Sequence, residues 1–158
     1  KRQDNGYDAV EYEISTNPGE SRKPLGQIVS GGELSRIMLA IKAILADKDQ
    51  IDTLIFDEID SGISGRTAQM VSEKLALIAG NHQVICITHL AQIAAMADSH
   101  YFIRKQTDQK NTQTMIRKLN ESESLKEISR MISGDQWSET SMEHAKEMKS
   151  LADETKLY

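Results

Sequence analysis

Leu54-Ile55-Phe56-Asp57-Glu58 and Val84-Ile85-Cys86-Ile87-Thr88-His89 decide how this chain is read. Each is a short apolar run that stops on side chains able to bind cations or exchange protons. Between them, Met70, Val71, Leu75 and Ile78 recur at helical spacing from Arg66 to Ala79, and Gly80 is placed to stop that helix. Strand, helix and strand in this order predict two buried parallel strands joined by a right-handed crossover, and therefore an α/β fold. Ligands of such sheets bind outside the carboxyl ends of the strands. Asp57, Glu58 and His89 stand at two such ends, so three polar groups are expected along one edge. A carboxylate there suits Mg²⁺, which takes one or two protein oxygens and keeps its other positions for water and phosphate. The neighbouring acid points differently and is suited to orient or deprotonate an attacking water.

Working outward, Ser30-Gly31-Gly32-Glu33 opens a helix whose apolar positions Leu34, Ile37, Met38, Ile41 and Leu45 form one stripe as far as Ala46. Ser30 with Glu33 has the spacing of a capping box. A capped helix start with free N–H groups and no side chains in the way is also an anion site. Each feature has a plainer reading: an ordinary N-cap, or an acid pair that is simply solvated. The ordered set favours a phosphate site. The glycine spacing of Gly26 to Gly32 imitates a P-loop, but Gly32 and Glu33 occupy the places where Lys and Ser/Thr are required. The P-loop is missing.

The flanks complete the outline. Val10, Tyr12 and Ile14 alternate with Glu11 and Glu13 as in a half-exposed strand, Asn17-Pro18-Gly19-Glu20 is a turn, and Pro24 ends a linker. Leu90 to Ala97 reads as a short helix. Tyr101 to Lys105 and Thr112 to Leu119 read as a hairpin about Asp108-Gln109-Lys110-Asn111. Leu125, Ile128 and Ile132 mark one further helix, and Met142, Ala145, Met148 and Leu151 a last one, with Trp137 expected to pack between them. Arg104, Lys105, Lys110, Arg117 and Lys118 cluster on the hairpin, where a solvated edge is favoured over a DNA-phosphate contact. His82, His100 and His144 have no metal-like spacing with acids.

The 158 residues suffice for one domain, and 39% hydrophobic with 27% charged residues describes a globular chain. A net charge of -5 excludes a general electrostatic glove for nucleic acid. The single cysteine, Cys86, permits no internal disulfide and reads as a buried, inert thiol. No signal-like start and no membrane-spanning run is present, so a cytoplasmic protein without membrane contact is expected. The chain opens at Lys1 without an initiator methionine, which fits a piece of something longer.

Ser30-Gly31-Gly32-Glu33-Leu34-Ser35-Arg36 resembles the signature motif of ATP-binding-cassette ATPases in the form used by their SMC-like branch. Leu54-Ile55-Phe56-Asp57-Glu58-Ile59-Asp60 resembles the Walker B strand of that family, and His89 its switch histidine. The run Ser15-Thr16-Asn17-Pro18-Gly19-Glu20 is similar to a bacterial group within the branch that acts in DNA double-strand-break repair and recombination.

The resemblance spans nearly the whole chain. It implies that residues 1–158 are the C-terminal lobe of an ATPase head, a mostly parallel sheet flanked by helices with a C-terminal β-hairpin and two helices. The P-loop half would lie far upstream, beyond a coiled coil. The implied ligands are ATP and Mg²⁺. Asp57 would hold the metal, Glu58 would polarise the water and His89 would contact the γ-phosphate. Ser30, Gly31, Gly32 and Glu33 would reach ATP on an opposing head, so that the nucleotide is sandwiched in a homodimer. Ser61 to Gly65 takes the D-loop place, with Ser64 where an acid is usual. DNA would be a partner of the full-length protein. Two rivals remain: a non-catalytic docking module, and another cassette ATPase such as a transporter subunit. Ile59 disfavours the latter, since transporters usually carry proline after the catalytic glutamate.

Overall fold

The computed structural model describes residues 6, 10–15, 18–27, 30–45, 51–108, 111–134, 136 and 138–156. The strands β1 (Glu13–Ile14) and β2 (Lys23–Pro24) form a short antiparallel pair, followed by a 3-10 turn at Leu25–Gln27. Then come α1 (Gly31–Leu45), β3 (Thr53–Phe56), α2 (Gly65–Ala79), β4 (Gln83–Cys86) and α3 (Ala91–Ala95). The chain continues through β5 (Tyr101–Asp108), β6 (Asn111–Lys118), α4 (Glu121–Ser133) and α5 (Glu139–Thr155). This is a mixed α/β fold, and the expected terminal hairpin and two helices are present. Trp137 and the turn residues Gln109 and Lys110 lie outside the described residues, as do Thr16 and Asn17 of the first turn.

The centre is the parallel pair β3–β4, in register from Thr53↔Gln83 to Phe56↔Cys86. Leu54 and Phe56 point to one face and meet Leu39 of α1, Val71, Leu75 and Ile78 of α2, Ile59 and Ile93 in one core. Both strands were expected to be covered on both faces. Instead, on the other face Ile55 is 68% exposed, Ile85 45% and Ile87 50%, because α1, α2 and α3 all pack against the same side. Among the described residues the parallel part of the sheet is this one pair. Val10 and Tyr12 are exposed and lie outside β1, so the alternating stretch forms a much shorter strand than its pattern suggests.

The apolar stripe of α1 is only partly covered, with Ile37 and Ile41 half-buried. Leu34, Met38 and Leu45 are exposed, and the helix touches the core through Gly32, Leu39 and Ala43. Spacings of seven and four place these three on one side of a helix. Small and hydrogen-bonding residues there let α1 come close to the strand ends. On α2, Ala68, Val71, Ser72, Leu75 and Ile78 are buried while Met70 faces solvent. Gly80 ends this helix in a right-handed conformation, with φ -61°, and not in the left-handed one that glycine usually supplies.

A second core joins Ala91, Ala94, Ala95 and Met96 to Ile128 of α4 and to Ala145 and Ala152 of α5. Ala152 takes the inward place expected of Leu151, since seven residues from Ala145 complete nearly two turns. Asn120 caps α4 in a full capping box with Glu123, and Ser138 caps α5 in the same way with Ser141. Lys149 closes the end of α3 by donating to the carbonyls of Ala95 and Ala97 at 3.0 and 2.9 Å. Among the described residues, no helix is long and apolar enough to cross a membrane.

Candidate active site

The site is built where β3 ends. Phe56 goes inward, and Asp57 emerges at the rim with its carbonyl accepting from Ser35 Oγ at 2.7 Å. One carboxylate oxygen of Asp57, Oδ1, accepts the Glu58 N–H at 2.9 Å. Glu58 is the one non-glycine residue at positive φ among those described, with φ 56°. That left-handed conformation costs an L-residue about 1–2 kcal/mol. It turns the chain so sharply that Ser61 N–H donates back to Glu58 O at 2.9 Å. Ile59 then plunges into the core and Asp60 follows it, 3% exposed. Gly62 and Gly65, also at positive φ, carry the loop into α2.

The neighbouring strand ends beside this turn. Ile87 N–H donates to Phe56 O at 3.1 Å, extending the pairing beyond Cys86. Thr88 and His89 come next, and Asp60 gathers both. Its Oδ2 accepts from Thr88 Oγ1 at 2.6 Å and from His89 N–H at 2.7 Å, and it lies 2.9 Å from His89 Nδ1. Parallel pairing therefore puts Asp57, Glu58 and His89 on one carboxyl edge, with Asp60 as the knot beneath. Asp60 was legible only as an acid near the site. Its burial follows from Ile59 and the reversal at Glu58, which period-two reasoning does not contain.

The Ser-Gly-Gly segment lies against the same turn. A Cβ on Gly32 would stand 2.8 Å from Glu58 O and 2.9 Å from Ser61 Cβ; one on Gly31 would stand 2.5 Å from Glu58 Oε2. Glycine is thus required at position 32, against the backbone of the Glu58–Ser61 turn, whereas at position 31 the obstacle is the movable end of the Glu58 side chain. Arg36 secures the contact, its Nη1 donating to Ile59 O at 3.1 Å and to Ser61 O at 2.8 Å. In the sequence, only its place four residues after Gly32 on one helix face marks Arg36 for this role. Ser30 accepts from Glu33 N–H at 3.4 Å, one arm of the expected capping box, and Gly31 and Glu33 remain exposed. Ser64 is the exposed N-cap of α2 without a side-chain cap bond.

Cys86 sits behind this rim. Burial first, then the charges of Asp60 and Asp57, push its thiol up to about 12, so it stays protonated and inert at neutral pH. Asp57 and Glu58 are exposed acids at the edge. Among the described residues no three His, Cys, Asp or Glu side chains are grouped to hold a metal. An exposed aspartate such as Asp57 is nevertheless a donor that Mg²⁺ accepts when water and phosphate supply the further oxygens.

The hairpin does not concentrate its charge. In the observed register Phe102 faces Arg117 and Arg104 faces Met115, while Tyr101 faces Lys118 and Lys105 faces Thr114. Alternation therefore puts Arg104 and Arg117 on one face and Lys105 and Lys118 on the other. Arg117 is also paired with Glu123 at 2.6 Å.

No protein-family model matches the chain. Curated relatives do. The DNA repair protein RecN of Halalkalibacterium halodurans is 49% identical over 149 residues, which are 94% of this chain and 26% of that protein. RecN of Bacillus subtilis is 46% identical over 96% of the chain, and RecN of Treponema pallidum 48% over 90%. The chain spans about a quarter of the length of these relatives. Among solved structures, a chain from work on ATP-driven dimerization and DNA stimulated activation of SMC ATPases aligns with TM-score 0.47 at 23% identity, over 79% of this chain and 81% of that one.

Proposed function

We propose, from the premise that this chain is a RecN-type segment, that it supplies the C-terminal half of the ATPase head of a DNA double-strand-break repair and recombination protein. The observation that carries the reading is the shared edge. The β3–β4 pairing sets the acid pair beside His89, and Gly31 and Gly32 lie against the same turn. Asp57 is the residue to hold Mg²⁺, and Glu58 the residue to orient and accept a proton from the attacking water. Bound Mg²⁺ would neutralise charge at the phosphates. His89, whose ring is exposed, is the residue to contact the γ-phosphate. Ser30, Gly31 and Glu33 form the outward rim available to the nucleotide of an opposing head, with Ser61 and Ser64 beside it.

The other half of the site belongs to a P-loop segment, and the open face of the sheet is where we dock it. Ile55, Ile85 and Ile87 are the exposed apolar side chains of that face. The same face also suits a second reading, a docking module without catalysis.

The test mixes this chain with the P-loop half. ATPase activity should appear only in the mixture and should rise with protein concentration as heads pair. Sustained turnover by this chain alone refutes the split site, and an inactive mixture in which the halves do bind selects the docking module. DNA contact and a place in the bacterial cytoplasm or nucleoid follow only for the full-length protein.

A further inference from the structure

We propose that Asp60 is the positioning residue of His89, the buried carboxylate that turns the imidazole so that Nδ1 faces inward and Nε2 faces the nucleotide edge. The proposal rests on the site reading above for what Nε2 addresses, but the bond itself is independent of it. The Asp60 side chain is 4% exposed and that of His89 72% exposed, so one member of the pair is anchored and the other is presented. A buried carboxylate is costly unless donors surround it. Two of the three donors that converge on Oδ2 belong to His89, its backbone N–H and its ring.

A carboxylate can only accept, so the ring nitrogen that meets it carries the proton. The third donor, Thr88 Oγ1, in turn accepts the Leu90 N–H at 3.0 Å. Asp60 thereby locks the end of β4, the ring and the start of α3 to the turn that follows Glu58. An imidazole gripped at both backbone and ring loses its rotamer freedom before any ligand arrives, which is how a partner of this kind helps a functional histidine.

Nitrogen-15 spectra of the His89 ring test the bond directly. The neutral ring should carry its proton on Nδ1. In Asp60→Asn, where a neutral amide replaces the charged acceptor, the proton should redistribute toward Nε2. Thr88→Val, which leaves the Asp60–His89 pair in place, should keep it on Nδ1. A wild-type ring protonated on Nε2 overturns the proposal, whether or not any variant folds.

Turnover separates this idea from the site reading. In the chain reassembled with its P-loop half, Asp60→Asn should lower kcat about 10-fold at unchanged ATP affinity. It should add nothing in a His89→Ala background. Losses that multiply overturn the positioning role. Full activity in His89→Ala alone removes the histidine from the site and leaves the ring spectrum to decide on Asp60.

Discussion

The carbonyl oxygen of Glu58 lies 2.8 Å from where a Cβ on Gly32 would stand. The acid pair and the glycine-rich helix start are thus in mutual contact within one chain. What the sequence presents as two motifs, 22 residues apart between Ser35 and Asp57 at their hydrogen bond, is one structural unit.

The two glycines of that unit should respond differently to substitution. At Gly32 the obstacles are Glu58 O and Ser61 Cβ, which move only with the backbone. Gly32→Ala should therefore cost about 1–3 kcal/mol of stability, read by chemical denaturation. At Gly31 the obstacle is the far end of the Glu58 side chain. Gly31→Ala should leave stability nearly unchanged while displacing the Glu58 carboxylate and lowering turnover of the reassembled head. Equal stability losses for both variants would contradict the geometry.

Glu58 occupies a conformation that suits glycine better, at φ 56°. Glu58→Gly should stabilise the chain by about 0.5–1 kcal/mol and abolish hydrolysis, the pattern expected of a strained functional position. Glu58→Gln retains the strain and should show no such gain. In the reassembled head it should trap ATP-bound dimers, visible by size-exclusion chromatography; normal turnover in this variant removes Glu58 from its role.

His100 sets an acid limit on stability. Burial holds its pKa below the usual 6.5, with Lys149 adding to this and Glu127 opposing it, while Nδ1 lies 2.8 Å from Ser124 Oγ. Because the folded value lies under the unfolded one, the contribution is complete above pH 6.5 and is lost as pH falls through the folded pKa. Denaturation at pH 7.5 and at pH 5 should therefore show a larger acid loss in the wild type than in His100→Gln. Parallel losses would mean that His100 does not titrate differently on folding.

Ile85 tests the open sheet face. At 45% exposure a lysine there costs the isolated chain little, since its ammonium stays in water. The same charge buried under the P-loop half is unfavourable, so Ile85→Lys should weaken reassembly by 10-fold or more, measured by pull-down or titration. Unchanged association would place the partner elsewhere.

Local pattern and spacing determined much of this protein from sequence alone. Both parallel strands follow from short apolar runs, the hairpin from two runs about a polar turn, the helix between the strands and the last two helices from a period of 3.6, and the rim of Asp57, Glu58 and His89 from strand ends. Tertiary structure decided which side of each element is buried. Leu34, Met38 and Leu45 of the α1 stripe are left open because Gly32, Ser35, Arg36 and Leu39 face the strand ends, and the second faces of β3 and β4 are bare because no described element covers them. Periodicity reports that a side chain is apolar, whereas burial depends on whether another element arrives, and that information is non-local. For the same reason the knot at Asp60, which joins residues 28 and 29 positions apart, appears only once the chain is folded.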